Sequence, residues 1–129
     1  MYIEGCDFGA YNSTTELFNK FSSSYINDGY PSSIGNISSI SGQNNTITQG
    51  LNFEYLYQQG PDNYVDLISA NGGTMIYQCQ NPSGRAVIYE DPTDGYRTIY
   101  STFIFGALRD GTNTKQDLMT AYLDYLKGN

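Results

Sequence analysis

Arg97-Thr98-Ile99-Tyr100-Ser101-Thr102-Phe103-Ile104 is the most strand-like run in the chain. It is built from β-branched and aromatic side chains, which suit a pleated and half-buried surface. Immediately upstream, Asp91-Pro92-Thr93-Asp94-Gly95 carries residues that make tight turns, and Ala86-Val87-Ile88-Tyr89-Glu90 reads as another strand. Downstream the period changes. Leu118, Met119, Tyr122, Leu123 and Leu126 fall on one face of a helix. Thr114 and Asp117 have the spacing of a capping box, and Lys127 and Gly128 suit the helix C-terminus.

Working outward, Val65 to Ala70 and Thr74 to Cys79 read as strands around Asn71-Gly72-Gly73, where Asn-Gly is a strong hairpin signal. Gly60-Pro61-Asp62-Asn63 and Asn81-Pro82-Ser83-Gly84 are further turns. The uncharged stretch from Gly29 to Phe53 is punctuated by Ile34, Ile37, Ile40 and Ile47, and strand-like alternation follows to Tyr57. It is expected to form short strands joined by polar turns. Near the start, Tyr2-Ile3-Glu4-Gly5 reads as a short buried strand. Ser13 and Glu16 are spaced as a capping box for a helix over 14–23, with Leu17, Phe18 and Phe21 facing the core. The expected fold is α/β: a mixed sheet with hairpins, flanked by an early helix and a C-terminal helix. At 129 residues the chain is expected to form a single domain, 1–129.

Composition excludes whole classes of chemistry. The chain has no His, so neither a Ser-His-Asp triad nor a Cys-His dyad can be built within it. Imidazole zinc sites are excluded too, and two Cys cannot make a Cys₄ site. Six Lys and Arg against 13 Asp and Glu give a net charge of −7, which argues against a nucleic-acid partner. No segment approaches the ~20 apolar residues of a membrane span. Neither a basic n-region nor an apolar h-region opens the sequence. Low charge and polar turns fit a secreted or cell-surface protein whose signal is not in this chain. Hydrophobic residues are 39%, and 13 Tyr supply much of that share. Tyr rings suit half-buried faces, and Tyr55, Tyr57, Tyr64, Tyr77, Tyr89, Tyr96 and Tyr100 are candidates for core packing, an interface or stacking on carbohydrate.

Tyr2-Ile3-Glu4-Gly5-Cys6-Asp7-Phe8 resembles a strand of flavodoxin-like domains of the class I glutamine amidotransferase type. Tyr96 to Leu108 is similar to their final strand, with its Ser-Phe-x-Phe-like turn. Leu118-Met119 and Leu123-Asp124-Tyr125-Leu126 resemble the closing helix. Such domains occur in secreted bacterial surface proteins, including gingipain-like peptidases. The resemblance covers the ends of the chain and rests on hydrophobic patterns. It implies that further βα units precede the Tyr2 strand in a full domain. That strand then exposes an edge, to be covered by a second copy (a homo-oligomer) or by the remainder of a larger polypeptide.

The family's nucleophile elbow is Gly-x-Cys-x-Gly, whereas this chain has Gly5-Cys6-Asp7-Phe8-Gly9 and no His base. Cys6 and Cys79 could form a disulfide, be buried thiols or include a reactive thiolate. Both lie near the ends of strand-like runs, which favours core thiols. The catalytic candidates are Cys6, Glu4 and Asp7. Carboxylate pairs run glycoside hydrolysis at about 5 or ~6.5–9.5 Å. For Glu4 the structural expectation is a buried ion pair with Arg97. Asp91 and Asp94, and Asp62 with Asp66, place hard oxygens on turns, which suits calcium, although turn formation alone explains them. No other cofactor is expected. The reading favoured is a non-catalytic structural or binding domain of a secreted bacterial surface protein. The alternative is a small hydrolase acting without His, through Glu4, Asp7 or Cys6.

Overall fold

The computed structural model describes residues 1–29, 33–56 and 64–129. The strand-like run folds as β8 (Arg97–Ser101), the second arm of a hairpin whose first arm is β7 (Gly84–Glu90). Asp91 closes that hairpin as expected. Its carboxylate accepts from the amides of Thr93 (2.9 Å) and Asp94 (2.7 Å), and Gly95 supplies the positive φ of 68°.

In chain order the elements before this hairpin are β1 (Tyr2–Glu4), α1 (Phe8–Asn12), α2 (Glu16–Asn19), β2 (Ser23–Asn27), β3 (Ser39–Gly42), β4 (Asn52–Tyr55), β5 (Leu67–Ala70) and β6 (Thr74–Cys79). After it come β9 (Leu108–Arg109) and α3 (Lys115–Lys127). Seven strands form one mixed sheet in the order β1-β8-β7-β6-β3-β4-β9, and β2 pairs with β5 separately. Only β1 runs parallel to its neighbour, β8; the other ladders are antiparallel. The class is mixed α/β, as the alternation of strand and helix patterns implies.

Strand period two divides β8 between two cores. Ile99 faces the side covered by α3, with Tyr77, Phe103, Leu118 and Tyr122, and the Tyr2 ring lies 5.4 Å from Tyr122. Tyr100 faces the other side, where Phe8, Phe18 and Phe21 surround its ring at 5.4, 5.6 and 5.7 Å. Tilted and edge-on aromatic pairs of this kind contribute about 0.5–1.5 kcal/mol each beyond burial.

The C-terminal helix starts and stops where its local signals put it. The Thr114 hydroxyl accepts from the Asp117 amide, the Asp117 carboxylate accepts from the Thr114 amide, and Gly128 is left-handed at φ 84°. Leu118 and Tyr122 are buried, but Leu123 is 43% exposed, so the buried stripe is narrower than the sequence pattern.

Several expectations are corrected. The early helix does not run over 14–23. α1 precedes it and takes Ser13 as its C-cap, whose amide donates to Gly9, so Ser13 cannot also cap α2. Thr15 caps α2 in its place, accepting from the Phe18 amide, and the helix is a single turn. Phe18 and Phe21 are buried as expected, while Leu17 is exposed. Asn71-Gly72-Gly73 does not join a hairpin. β5 pairs with β2 in the small sheet and β6 belongs to the large one, so this turn crosses between sheets. The Ser22 carbonyl holds the crossing by accepting from the amides of Asn71 (2.8 Å) and Gly73 (3.1 Å).

The uncharged stretch does form the short strands β3 and β4, with Ile37 and Ile40 fully enclosed. The turn at residues 60–63, including Asp62, and Tyr57 lie outside the described residues.

Candidate functional site

β1 runs parallel to β8, so its carboxyl end and that of β8 open on the same side of the sheet. In open α/β sheets this is where ligands gather. Gly5-Cys6-Asp7 leads from that end into α1. The Asp66 amide donates to the Cys6 carbonyl at 2.8 Å, which brings the segment before β5 alongside. The Asp66 carboxylate then turns under α1, where Oδ2 accepts from the Ala10 amide at 3.0 Å. The Gly9 amide donates to the Tyr100 hydroxyl at 3.1 Å. A Cβ on Gly9 would lie 2.9 Å from Asp66 Oδ2, 2.9 Å from the Tyr25 ring and 3.2 Å from the Tyr100 hydroxyl, so only glycine admits this approach.

Asp66 is fully enclosed, and its Oδ1 has no hydrogen-bond partner among the described residues. Loss of water pushes its pKa up to about 6. The amides of Ala10 and Gly9 oppose that, and the charges of Asp7 and Asp28 add to it. Burial, with the Asp66 charge next in size, likewise pushes the Tyr100 phenol up. A carboxyl titrating near neutrality beside a thiol and a phenol has the ingredients of an acid–base site. Asp66 and Tyr100 are 0% exposed and Cys6 is 6% exposed, so the three groups lie inside the fold.

The raised Asp66 pKa has a measurable consequence. The folded state binds this proton more tightly than the unfolded chain, so the associated stability is complete below the ordinary carboxyl range. It is lost as pH rises from 3.8 through about 6. The expected loss is on the order of 2 kcal/mol. Asp66→Asn keeps an acceptor for Ala10 and removes the titration. Urea midpoints between about pH 4 and 7 should therefore fall in the wild type relative to the variant. Parallel curves would mean that Asp66 is not protonated in the fold.

The other candidates are placed as follows. Glu4 does not pair with Arg97. Its Oε2 accepts from the Tyr2 hydroxyl at 2.6 Å and the Phe105 amide at 2.8 Å, which fastens β1 to the turn after β8. Arg97 instead bonds Glu90 across the β7–β8 ladder at 2.9 Å, because those two residues stand directly opposite. Asp7 is exposed at the N-cap position of α1, without a capping side-chain bond. Cys6 and Cys79 are both buried thiols and are not joined in a disulfide. Asp91 acts as a turn former and Asp94 is exposed. Among the described residues no three His, Cys, Asp or Glu are grouped to hold a metal ion.

Two structurally decisive residues were not singled out from the sequence. Arg85 on β7 is a fully buried guanidinium. It donates to the carbonyls of Val65 (2.8 Å), Asp66 (3.0 Å) and Ile34, and to the Cys79 sulfur (3.2 Å). Gly9 is the other. The only local signal for Arg85 is a charge at the head of the apolar run Ala86 to Ile88, after a long stretch without Lys or Arg.

Of the tyrosines that were candidates for core packing, an interface or stacking, Tyr55, Tyr77 and Tyr100 are core, Tyr64 is exposed, and Tyr89 and Tyr96 form a half-buried pair. The chain matches no protein-family model, no curated protein and no solved structure.

Proposed function

We propose that this chain is a non-catalytic structural or binding domain of a secreted bacterial surface protein, and that it binds through the open edge of β1. The observation that carries the first half is the state of Glu4. Its carboxylate bridges Tyr2 and Phe105 and thereby anchors the edge strand, which is a structural role. Cys6 and Asp66, the groups nearest to it in chemistry, are enclosed.

The second half rests on the ladder. The Ile99 amide donates to Met1 and the Gly5 amide to Ser101, so odd-numbered residues of β1 face β8. The main-chain groups of Tyr2 and Glu4 therefore turn to the free side, where among the described residues no strand covers them. Tyr2-Ile3-Glu4 contains no Pro or bulge, so its shortness and the Glu4 charge are the devices that protect this edge. The occupant we assign is a second copy of this chain.

The parallel β1–β8 pair, with α1 and α2 on one face and α3 on the other, supports reading this part of the sheet as flavodoxin-like and amidotransferase-like.

The hydrolase alternative is tested with a panel of aryl esters and aryl glycosides, together with iodoacetamide at neutral pH. The proposal expects no turnover above that of Glu4→Gln and Cys6→Ser. It also expects both thiols to be alkylated only as fast as the fold opens. Turnover lost in either variant, or one thiol labelled rapidly in the native protein, would overturn it.

A further inference from the structure

The turn of the β7–β8 hairpin and the segment from Glu16 to Ser22, which includes α2, line an open cleft of ≈ 410 Å³. Its floor is prearranged. Tyr89 and Tyr96 sit edge to face, with ring centres 6.1 Å apart. The Tyr89 hydroxyl donates to the Asp91 carboxylate at 3.2 Å, and the amides of Thr93 and Asp94 hold that carboxylate in turn. These rings therefore lose little freedom when something stacks on them.

The facing wall is different in kind. Glu16, Asn19 and Lys20 project from α2, and none of their side chains makes a hydrogen bond or ion pair with the described residues. The Lys20 ammonium stands over the face of Tyr96, 5.0 Å from the ring centre. On the far side of that contact lies a second, mainly apolar pocket of ≈ 260 Å³ that includes Tyr96, Arg97 and Thr98. Lys20 and Tyr96 line both pockets, so their cation–π contact stands between two parts of one groove.

An aromatic shelf, an uncommitted carboxylate, an uncommitted amide and an uncommitted ammonium together match a ring with an apolar face and a rim of hydroxyls. We propose that this groove binds a neutral pyranose unit of an oligosaccharide. The sugar's C–H face lies on Tyr96 in place of the Lys20 ammonium, and its hydroxyls bond Glu16, Asn19 and Lys20. A polyanionic ligand is disfavoured by the overall charge of −7 and by Glu16 and Asp91 in the cleft itself. The volume lies in the range of small-molecule sites, about 300–1,000 Å³. The Tyr89–Tyr96 cleft does not include the free edge of β1, although Met1, just before that strand, lines the second pocket, and the proposal extends the binding reading with a ligand class.

The test is two-dimensional NMR of the full chain titrated with maltotetraose, cellotetraose and mannotetraose. The expected result is saturable shifts at Tyr89, Tyr96 and the α2 residues, with a Kd of about 1 mM for at least one sugar. Asn19→Ala and Lys20→Ala, both on the surface, should weaken binding about threefold or more with the spectrum otherwise intact. Tyr96→Ala should abolish it, and Tyr96→Phe, which keeps the shelf, should retain it. No shifts from any of the three sugars at about ten times that concentration would overturn the proposal. So would shifts that map elsewhere, or binding that survives Tyr96→Ala.

Discussion

Arg85→Met should lower the melting temperature by about 12–16 °C, corresponding to roughly 4 kcal/mol. The methionine fills much of the same space but donates nothing. The buried carbonyls of Val65 and Asp66 would then lack the donor that ties them to the half-buried Ile34. Each orphaned buried acceptor costs about 1–3 kcal/mol unless water enters. The loss is large because these carbonyls belong to two segments, around residues 34 and 65–66, that hydrogen-bond each other through the Val65 amide and the Gly35 carbonyl. Releasing them also loosens the Asp66 amide from Cys6 and hence the end of β1.

Arg85→Lys isolates the geometry. It keeps the charge, but one ammonium cannot serve acceptors spread around a planar guanidinium. About half the loss is expected, read by thermal or urea unfolding. A midpoint shift under ~3 °C for Arg85→Met would show that the guanidinium is not the tie between these segments.

Gly42→Ala should cost about 3 kcal/mol, at the upper end for overpacking. An added Cβ would stand 1.7 Å from the Thr48 carbonyl oxygen, 2.7 Å from its carbon and 3.0 Å from the Leu51 oxygen, all of them backbone. The connection between β3 and β4 folds back over Gly42. It is pinned to β6 by the Thr48 hydroxyl and the Gln43 amide, both donating to the Ile76 carbonyl. The methyl would lift Thr48 and break that pin. Gly106→Ala is the control, because nothing lies within 4 Å of its added Cβ, and it should be close to neutral. Equal midpoints for the two variants would contradict the packing described.

What could be read from the sequence was what neighbouring residues decide. Thr114, Asp117 and Gly128 set both ends of α3 through bonds that span a few residues. Asp91 and Gly95 fixed the β7–β8 turn in the same way. The errors arose where a distant group decides. Asn71-Gly72 has hairpin chemistry, yet the Ser22 carbonyl captures its turn and β2 captures β5. Ser13 has the right spacing to Glu16, but α1 had already taken it as a C-cap.

The site follows the same division. The tyrosine-rich composition pointed to rings that pack, and Tyr55, Tyr77 and Tyr100 are core residues. The enclosure of Asp66 under Gly9, and the reach of Arg85 to two loops, depend on contacts 20 or more residues apart and leave no local pattern. Glu4, a catalytic candidate from the sequence, clamps the end of β1 to the turn after β8.

The central claim is that this domain binds through the free edge of β1, and amide hydrogen exchange at Tyr2 and Glu4 tests it most directly. Both amides should exchange rapidly in dilute protein. They should become protected as concentration rises to about tens of micromolar, in step with the formation of a two-chain species by light scattering. Exchange that stays fast at every concentration, or a dimer that leaves these two amides unprotected, would contradict the claim.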